Sequence, residues 1–246
     1  MMVLGVYVLI LAFSGITISD SEALEQPALF RLIRTVRFFE AVKLPFLPFL
    51  SRPAPPQLTA GDMEVKPGFI LFSSSGEGSL LAAADKWAPL DDVVMGGVSA
   101  TNLEPGSFKG RFEGVVRTER NGGFAGIRTK LFSTPLDARG STGFRLTVRG
   151  DGQRYKFIAR DSNEWNGIAW SKSFDTIKGQ ETTHVVKFSD LVPTKFARVV
   201  TDAGKFRQDR LSGLQVTLSK FEYDSGLNPK FTPGPFYLDI DKIEMV

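Results

Sequence analysis

The chain has 246 residues, 42% hydrophobic and 23% charged, with a formal net charge of +3, one His and no Cys. The absence of Cys excludes disulfides, zinc thiolate sites, iron–sulfur ligation and a cysteine nucleophile. The single His excludes a His-rich metal site, and the net charge is too slight to indicate nucleic acid as a partner. The composition therefore argues against most enzyme chemistry, and no cofactor is expected.

Residues 1–23 are typical of a targeting segment. Val3–Phe13 is an almost unbroken apolar run, shorter than the about 20 residues that span a bilayer. The small-x-Ala pattern at residues 21–23 predicts cleavage after Ala23, as in a signal peptide that lacks its usual basic start. A retained anchor is the alternative. A mitochondrial presequence is disfavoured, because it is Arg-rich from its start and this chain has no Arg before Arg31.

Residues 24–50 are predicted to form a basic amphipathic helix, Ala28–Leu44, followed by an apolar docking segment. Pro45 ends the helix. Its apolar side chains recur at helical spacing and share one face. These residues are Leu29, Leu32, Ile33, Val36 and Phe39. The candidate partner-binding residues of the segment are Arg31, Arg34, Arg37, Phe38, Phe46 and Phe49.

Such a segment suits a membrane surface or a groove on a membrane protein. In that case, residues 28–50 should lie apart from the core of the folded domain. Two alternatives stay open: a helix packed on the chain's own domain, or part of a transit peptide. Residues 51–67 contain four prolines and predict a linker.

Residues 68–246 are predicted to form one all-β domain. Phe144–Arg149 and Phe236–Asp241 alternate strictly between apolar and polar residues, as half-buried strands do. About ten short strands separated by Gly-rich turns indicate a sandwich or a barrel. Only Leu80–Trp87 is helix-like in composition. Further predicted strands are Phe69–Phe72, Gly126–Phe132, Tyr155–Asp161, Ile168–Phe174, His184–Phe188 and Leu214–Lys220.

Candidates for catalysis are few. His184 alternates with apolar neighbours and is interpreted as a structural strand residue, because no nucleophile elbow accompanies it. The adjacent Asp91 and Asp92 could form a glycosidase carboxylate pair only if they faced each other across an open cleft. Nothing in their spacing selects that role.

A carbohydrate-binding, lectin-like module is the alternative to a protein-binding domain. Trp165 and Trp170 flank Asn166, and exposed Trp beside Asn can stack on a sugar and hydrogen-bond it. Trp170 alternates with Ile168 and is the better candidate for burial, so Trp165 is the candidate for surface binding. Ordinary core and hairpin packing explains the same residues.

One stretch of the sequence is more distinctive than the general strand pattern. Residues 87–99, Trp-Ala-Pro-Leu-Asp-Asp-Val-Val-Met-Gly-Gly-Val-Ser, resemble the opening signature of the complex I intermediate-associated protein 30 family. Further family-like motifs follow in the same order, with Leu191 and Ala197 as departures, and the resemblance covers about residues 69 to 246. These motifs are Phe112–Gly114, Asn121–Arg128, Arg149–Tyr155, Phe188–Arg198 and Phe236–Ile243.

The resemblance implies a jelly-roll β-sandwich of the galactose-binding type. It also implies a non-catalytic assembly factor or accessory subunit of a membrane-bound electron-transfer complex, acting through protein–protein contacts. Mitochondrial members help to build the membrane arm of respiratory complex I, and related domains in photosynthetic organisms serve photosystem biogenesis. No catalytic residues are known for the family, and Asp91, Asp92, Asp151 and Arg128 are interpreted as residues that maintain the fold.

The expected partners are subunits of such a complex, with peripheral membrane association. A signal-like sequence followed by a basic stretch is typical of bipartite targeting to a complex plastid. This pattern favours a plastid thylakoid location and a photosystem, with the mitochondrial inner membrane or matrix as the alternative location.

Overall fold

The computed structural model describes residues 27–39, 63–81, 86–132, 134–164 and 166–246. The predicted targeting segment, most of the linker, Phe46, Phe49 and Trp165 lie outside the described residues.

The described residues form a β-sandwich and one α-helix. The helix, α1, is Ala28–Phe39. The strands are β1 Met63–Glu64, β2 Ile70–Ser73, β3 Trp87–Pro89, β4 Ala100–Thr101, β5 Arg111–Val116, β6 Phe124–Thr129, β7 Leu136–Asp137, β8 Gly143–Gly150, β9 Arg154–Arg160, β10 Ala169–Asp175, β11 Glu181–Lys187, β12 Val192–Lys195, β13 Arg198–Val199, β14 Gly213–Ser219 and β15 Gly234–Met245.

Two antiparallel sheets make up the sandwich. The larger sheet has seven strands in the order β13-β12-β10-β9-β14-β6-β3. The smaller has six: β11-β8-β15-β5-β4 form a continuous row, and β2 pairs with β15. The long strand β15 pairs with β8 along one edge, and with β5 and then β2 along the other. A short parallel pair, β1 and β7, lies outside both sheets.

The core lies between the inner faces of the sheets, as the alternation predicts. In β8, Phe144, Leu146 and Val148 are buried, whereas Arg145 and Arg149 are exposed. Rings from the two sheets meet in the core, since Phe112 of β5 lies 6.3 Å from Tyr155 of β9 between ring centroids. Each such fully buried side chain contributes on the order of 1.5–3 kcal/mol through apolar burial. The sandwich predicted from sequence is confirmed.

The helical interpretation of Leu80–Trp87 is wrong at its end. Trp87 begins strand β3 and pairs with Thr129 of β6. Its ring is fully buried and packs 5.9 Å from Phe72 and 5.1 Å from Phe108 between centroids. This tertiary packing overrides the local Ala-rich propensity for helix. Residues 82–85 lie outside the described residues.

Helix α1 lies on the sandwich, beside β3 and the 3-10 turn Asp92–Met95. The expectation that this segment lies apart from the core is therefore wrong for Ala28–Phe39. The alternative, a helix packed on the chain's own domain, describes it. The helix contacts the sandwich through polar side chains and through the rings of Phe38 and Phe39, which lie beside Lys130 and Arg128. None of its apolar residues belongs to the hydrophobic core of the sandwich.

Candidate functional site

Three side chains of α1 hold the helix on the sandwich, and we call their contacts the clasp. Arg31 Nη1 donates a hydrogen bond to the carbonyl oxygen of Ser99 at 2.5 Å and lies 3.9 Å from Asp91 Oδ2. The buried Thr35 Oγ1 donates to the carbonyl oxygen of Pro89 at 3.3 Å. The third member, Arg34, pairs with a carboxylate.

Arg34 and Glu104 form a two-point ion pair. Arg34 Nη1 donates to Glu104 Oε1 at 2.7 Å, and Nη2 contacts Oε2. Both side chains are partly buried, and burial lowers the pKa of Arg34 below its usual value. Two parallel N–H···O contacts fix direction as well as distance, so this pair orients the helix on the sandwich.

The clasp turns the charged face of α1 inward. At 3.6 residues per turn, Arg31, Arg34, Thr35 and Phe38 share one face of the helix. The apolar stripe, which we define as Leu29, Leu32, Ile33 and Val36, then lies roughly opposite that face. Leu29 is 51% exposed, and the other three are half-buried. The helix thus contacts the sandwich through charged and polar side chains, whereas Leu29 of the apolar stripe stays exposed.

Asp91 supplies part of the negative potential beneath the clasp. Its carboxylate accepts hydrogen bonds from the Thr101 amide at 2.8 Å, from Thr101 Oγ1 at 2.5 Å and from the Gly126 amide at 3.3 Å. Burial raises the pKa of Asp91 to about 6, although these hydrogen bonds and the positive charge of Arg31 oppose the shift. Asp91 therefore carries a negative charge at neutral pH and attracts Arg31.

Asp92 is enclosed by its own hydrogen bonds. Its carboxylate accepts from the Ser99 amide at 2.9 Å, Ser99 Oγ at 2.6 Å, the Gly123 amide at 2.7 Å and the Phe124 amide at 3.3 Å. A Cβ on Gly97 would lie 2.3 Å from Asp92 Cγ, so this position has no room for a larger residue. The Asp-Asp and Gly-Gly pairs of the signature thus join β4 to β6 and its preceding loop.

These contacts give both aspartates a structural role. Asp91 and Asp92 are almost fully buried and hydrogen-bonded to backbone, rather than paired across an open cleft as a glycosidase requires. Among the described residues, no three His, Asp or Glu side chains converge as metal ligands.

The predicted partner-binding residues fall into three groups. Arg31 and Arg34 face the sandwich in the clasp. Arg37 is exposed, and Lys130 Nζ lies 4.4 Å from the ring centroid of Phe38 as a cation–π contact. The remaining three, Phe46, Phe49 and Trp165, lie outside the described residues. Binding of a partner by these residues stays a prediction.

Met95 is a surface residue that the sequence reasoning missed. It ends the 3-10 turn that contacts α1, and it is 68% exposed. Gly96 follows with a φ of 89°, a left-handed conformation that reverses the chain and leaves Met95 at the tip of the turn. The Gly-Gly dipeptide could have indicated this turn, but nothing in the sequence says which side of it faces solvent.

Two further residues singled out in the sequence, Trp170 and His184, pack against other side chains of the sandwich. Trp170 is buried in the core, 5.8 Å from Phe206 between ring centroids, so it cannot stack on a sugar. His184 lies on β11 against Phe174, and its Nε2 is 2.9 Å from Thr182 Oγ1. Burial lowers the pKa of His184, which keeps this histidine neutral at pH 7. The prediction that His184 lies on a strand is confirmed.

The helix α1 is the only α-helix among the described residues, and it is too short to cross a bilayer.

Several solved structures share the sandwich fold. One is a family 11 carbohydrate-binding module of the cellulosomal cellulase Lic26A-Cel5E of Clostridium thermocellum, with 13% identity and a TM-score of 0.41, covering 79% of this chain and 96% of that chain. Another is the agarase AgWH50C, with 9% identity and a TM-score of 0.45, covering 74% of this chain and 25% of that chain. A carbohydrate-binding module specific for non-crystalline cellulose has 12% identity and a TM-score of 0.34, covering 74% and 97% of the two chains. At these identities the likeness concerns the fold alone.

No curated protein matches the chain. A family model does match, over residues 72–240, which is more than half of the chain and includes the signature that holds α1. The chain belongs to the Complex I intermediate-associated protein 30 (CIA30) family.

Proposed function

We propose that this protein is a non-catalytic assembly factor or accessory subunit of a membrane-bound electron-transfer complex and acts through protein–protein contacts. The observation that carries the proposal is the family match over residues 72–240, whose description associates the family with complex I intermediates. Complex I assembly intermediates are therefore the first partner to test.

The geometry of the signature supports a binding role over a catalytic one. Asp91 and Asp92, the best candidates for acid–base chemistry, are used to join strands and to attract α1. The residue that the signature exposes is Met95, at a turn beside the docked helix α1. An exposed apolar side chain at such a turn is suited to contact with another protein.

The location is a separate proposal. The targeting pattern of residues 1–50 supports a plastid thylakoid membrane, where the complex would be a photosystem. The family description supports complex I and thus the mitochondrial inner membrane or matrix as the alternative. A fluorescent protein fused behind residues 1–66 tests this directly: co-localisation with chlorophyll supports the plastid, and co-localisation with a mitochondrial dye overturns it.

Native purification tests the function. The tagged full chain is extracted from the source organelle in mild detergent, separated by size, and its partners are identified by mass spectrometry. We expect co-migration with a subset of subunits of one large electron-transfer complex, and accumulation of incomplete complex when the protein is removed. Migration only as a single chain, with normal assembly after removal, would contradict the proposal.

A pair of variants separates binding from catalysis. His184→Gln removes the single His of the chain, the remaining candidate for a general base, and we expect it to restore assembly in cells that lack the protein. Asp239→Asn, on the partly exposed outer face of β15, serves as the control. A His184→Gln protein that is folded and abundant yet inactive, beside an active control, would favour the enzyme hypothesis.

A further inference from the structure

One edge of the sandwich is long and open. Strand β11 lies at the end of the smaller sheet, and among the described strands it pairs with β8 alone. The pairing runs over all seven residues of β11 without a register shift. An edge strand of this kind exposes a row of backbone N–H and C=O groups that can pair with a further strand.

The other ends of the two sheets are blocked or short. Among the described strands, β13 and β4 have two residues each, and β3 has three and contains Pro89. The amides of Leu80 and Leu81 bond to carbonyl groups of β2. Short strands and proline are common protections against edge pairing. Since β11 has seven residues and neither proline nor a bulge, it is the edge that the described part of the fold leaves open.

Alternate residues of β11 point their backbone groups to the open side. The Phe188 amide donates to the carbonyl oxygen of Thr142 at 2.9 Å, and Gly143 exchanges two backbone bonds with Val246 on the other side of β8. Because antiparallel pairing alternates from residue to residue, the even-numbered residues of β11 bond to β8. The odd-numbered residues therefore direct their N–H and C=O groups away from β8, and their side chains are exposed. These residues are Glu181, Thr183, Val185 and Lys187.

The charges of β11 complement those of a second, antiparallel copy of the same strand. Glu181 and Lys187 lie at opposite ends of β11, at equal distances in sequence from His184. When two copies pair around His184, Glu181 of each copy lies opposite Lys187 of the other. Thr183 then lies opposite Val185, so the residues with outward backbone groups face each other and can exchange hydrogen bonds. Equal charges at the two ends would repel a second copy, whereas these opposite charges attract it.

We propose that β11 pairs with β11 of a second copy of this chain and joins the two smaller sheets across a twofold axis at His184. Such a contact, in which both copies use the same surface, is the commonest kind in homodimers. The proposal goes beyond the proposed function, which does not depend on it. Because one strand from each copy is a small contact, the dimer should be weak and should exchange with monomer at micromolar concentration.

The side chains beside the axis are compatible with this contact. Val185 is 49% exposed, and the two Val185 side chains lie diagonally across the axis on the outer face, where they bury apolar area. The two His184 side chains meet on the axis on the other face. Burial lowers the pKa of His184, so the imidazoles are uncharged at pH 7 and do not repel each other.

Charge reversal tests the register in the full chain. Analytical ultracentrifugation of the wild-type protein over a range of concentrations should show an equilibrium between monomer and dimer. Lys187→Glu places carboxylates opposite each other at both ends of the contact, and within its own sheet this position lies opposite Gly143, which has no charge to disturb. Glu181→Lys places cations opposite each other, although it also loses the exposed contact at 4.0 Å with Arg149. We expect each single variant to weaken the dimer at least tenfold.

Rescue makes the test specific for this pairing. The double variant Glu181→Lys with Lys187→Glu restores opposite charges at both ends and should dimerise as the wild type does. An equal mixture of the two single variants should associate more tightly than either variant alone, because their charges complement each other at both ends. The controls are Glu64→Lys and Lys66→Glu, which reverse the charges of an exposed pair outside both sheets and should leave the equilibrium unchanged.

A disulfide provides a second measure of the register. The chain has no Cys, so His184→Cys introduces one thiol, on the proposed axis. Directly opposed residues of an antiparallel pair have Cβ atoms about 4.5–5.5 Å apart, near the spacing that a disulfide bridges. Oxidation by air with copper phenanthroline should give a covalent dimer for His184→Cys. It should give none for Leu227→Cys, although Leu227 is 74% exposed.

Several outcomes would overturn the proposal. These are a wild-type chain that stays monomeric, single charge variants that dimerise as the wild type does, a folded double variant that stays monomeric, or equal crosslinking at positions 184 and 227. If the chain is monomeric and Lys187→Glu instead removes it from the native complex, β11 accepts a strand of another protein and a second copy is the wrong partner. The proposed function fails separately, only if the wild-type protein never co-migrates with a complex.

Discussion

The helix and the strands of this protein are all amphipathic, yet they meet the rest of the fold through different side chains. Strand β8 turns Phe144, Leu146 and Val148 into the core and its arginines to solvent. Helix α1 turns Arg31 and Arg34 to the sandwich, and its apolar stripe lies outside the hydrophobic core, with Leu29 exposed. The difference shows that an amphipathic pattern identifies the two faces of an element, whereas the surface it meets decides which side chains make the contact.

The largest loss of stability should come from truncating a side chain on the apolar face that the strands bury. Phe112→Ala removes a fully buried ring that packs 4.9 Å from Phe236 and should lower the free energy of unfolding by about 3–5 kcal/mol. Urea unfolding measures it. Phe196→Ala, at a ring that is exposed, is the control and should change stability by less than about 0.5 kcal/mol. Similar losses for both would break the assignment of the core.

The second largest loss of stability should come from removing a buried hydrogen-bond acceptor of the signature. Asp92→Ala leaves the amides of Ser99, Gly123 and Phe124 without this partner and should cost about 3 kcal/mol. Asp239→Asn is the control, at a partly exposed carboxylate that pairs with Arg111, with an expected loss under about 1 kcal/mol. A thermal midpoint for Asp92→Ala equal to that of the control would mean that Asp92 does not join the strands.

The pH dependence of stability tests Asp91. Its pKa is raised to about 6 by burial, so the folded state binds its proton more tightly than the unfolded state. Stability from this group is therefore greatest below about pH 4 and falls by roughly 3 kcal/mol as pH rises through 6. Asp91→Asn should remove that component, so the difference between variant and wild-type unfolding curves isolates it. A difference that does not vary between pH 4 and 7 would contradict the shift.

Weakening the clasp should lower stability by less, and it should loosen α1 without loosening the strands. Glu104→Gln removes the charge that Arg34 meets at 2.7 Å and should cost about 1 kcal/mol, because the pair is only partly buried. Hydrogen exchange of the α1 amides should accelerate, while the strand amides keep their protection. Glu181→Gln, in an exposed pair 4.0 Å from Arg149, is the matched control. Uniform acceleration throughout the chain would mean that α1 is not held separately.

The smallest effect should come from the apolar stripe. Leu29→Ser changes a half-exposed residue that lies outside the core and should alter the free energy of unfolding by less than about 0.5 kcal/mol. A loss of 2 kcal/mol or more in a urea titration would show that Leu29 is packed against the fold, which would contradict its exposure.

The strands could be predicted because their signal is local. Alternation in β8 and β15 reports directly which side chains face the core. The orientation of α1 could not be predicted, because it depends on Glu104 and Asp91, which lie far along the chain and come near the helix only after folding. Trp87 was misplaced for a similar reason, since its partners Phe72 and Phe108 outweigh the local Ala-rich composition. The aspartates of the signature were correctly interpreted as maintaining the fold, but only the structure shows that one of them also attracts the helix.

The position of β15 has a consequence for folding kinetics. This strand is the last of the described strands in the chain, yet it lies inside the smaller sheet and pairs with β2, near the start of the domain, as well as with β5 and β8. The smaller sheet therefore cannot close until residues 234–245 are available. Pairings between such distant segments form slowly, because the loop-closure entropy must be overcome first. A chain that emerges stepwise from a ribosome or a translocation pore would thus stay open until its final strand arrives and then close as a whole.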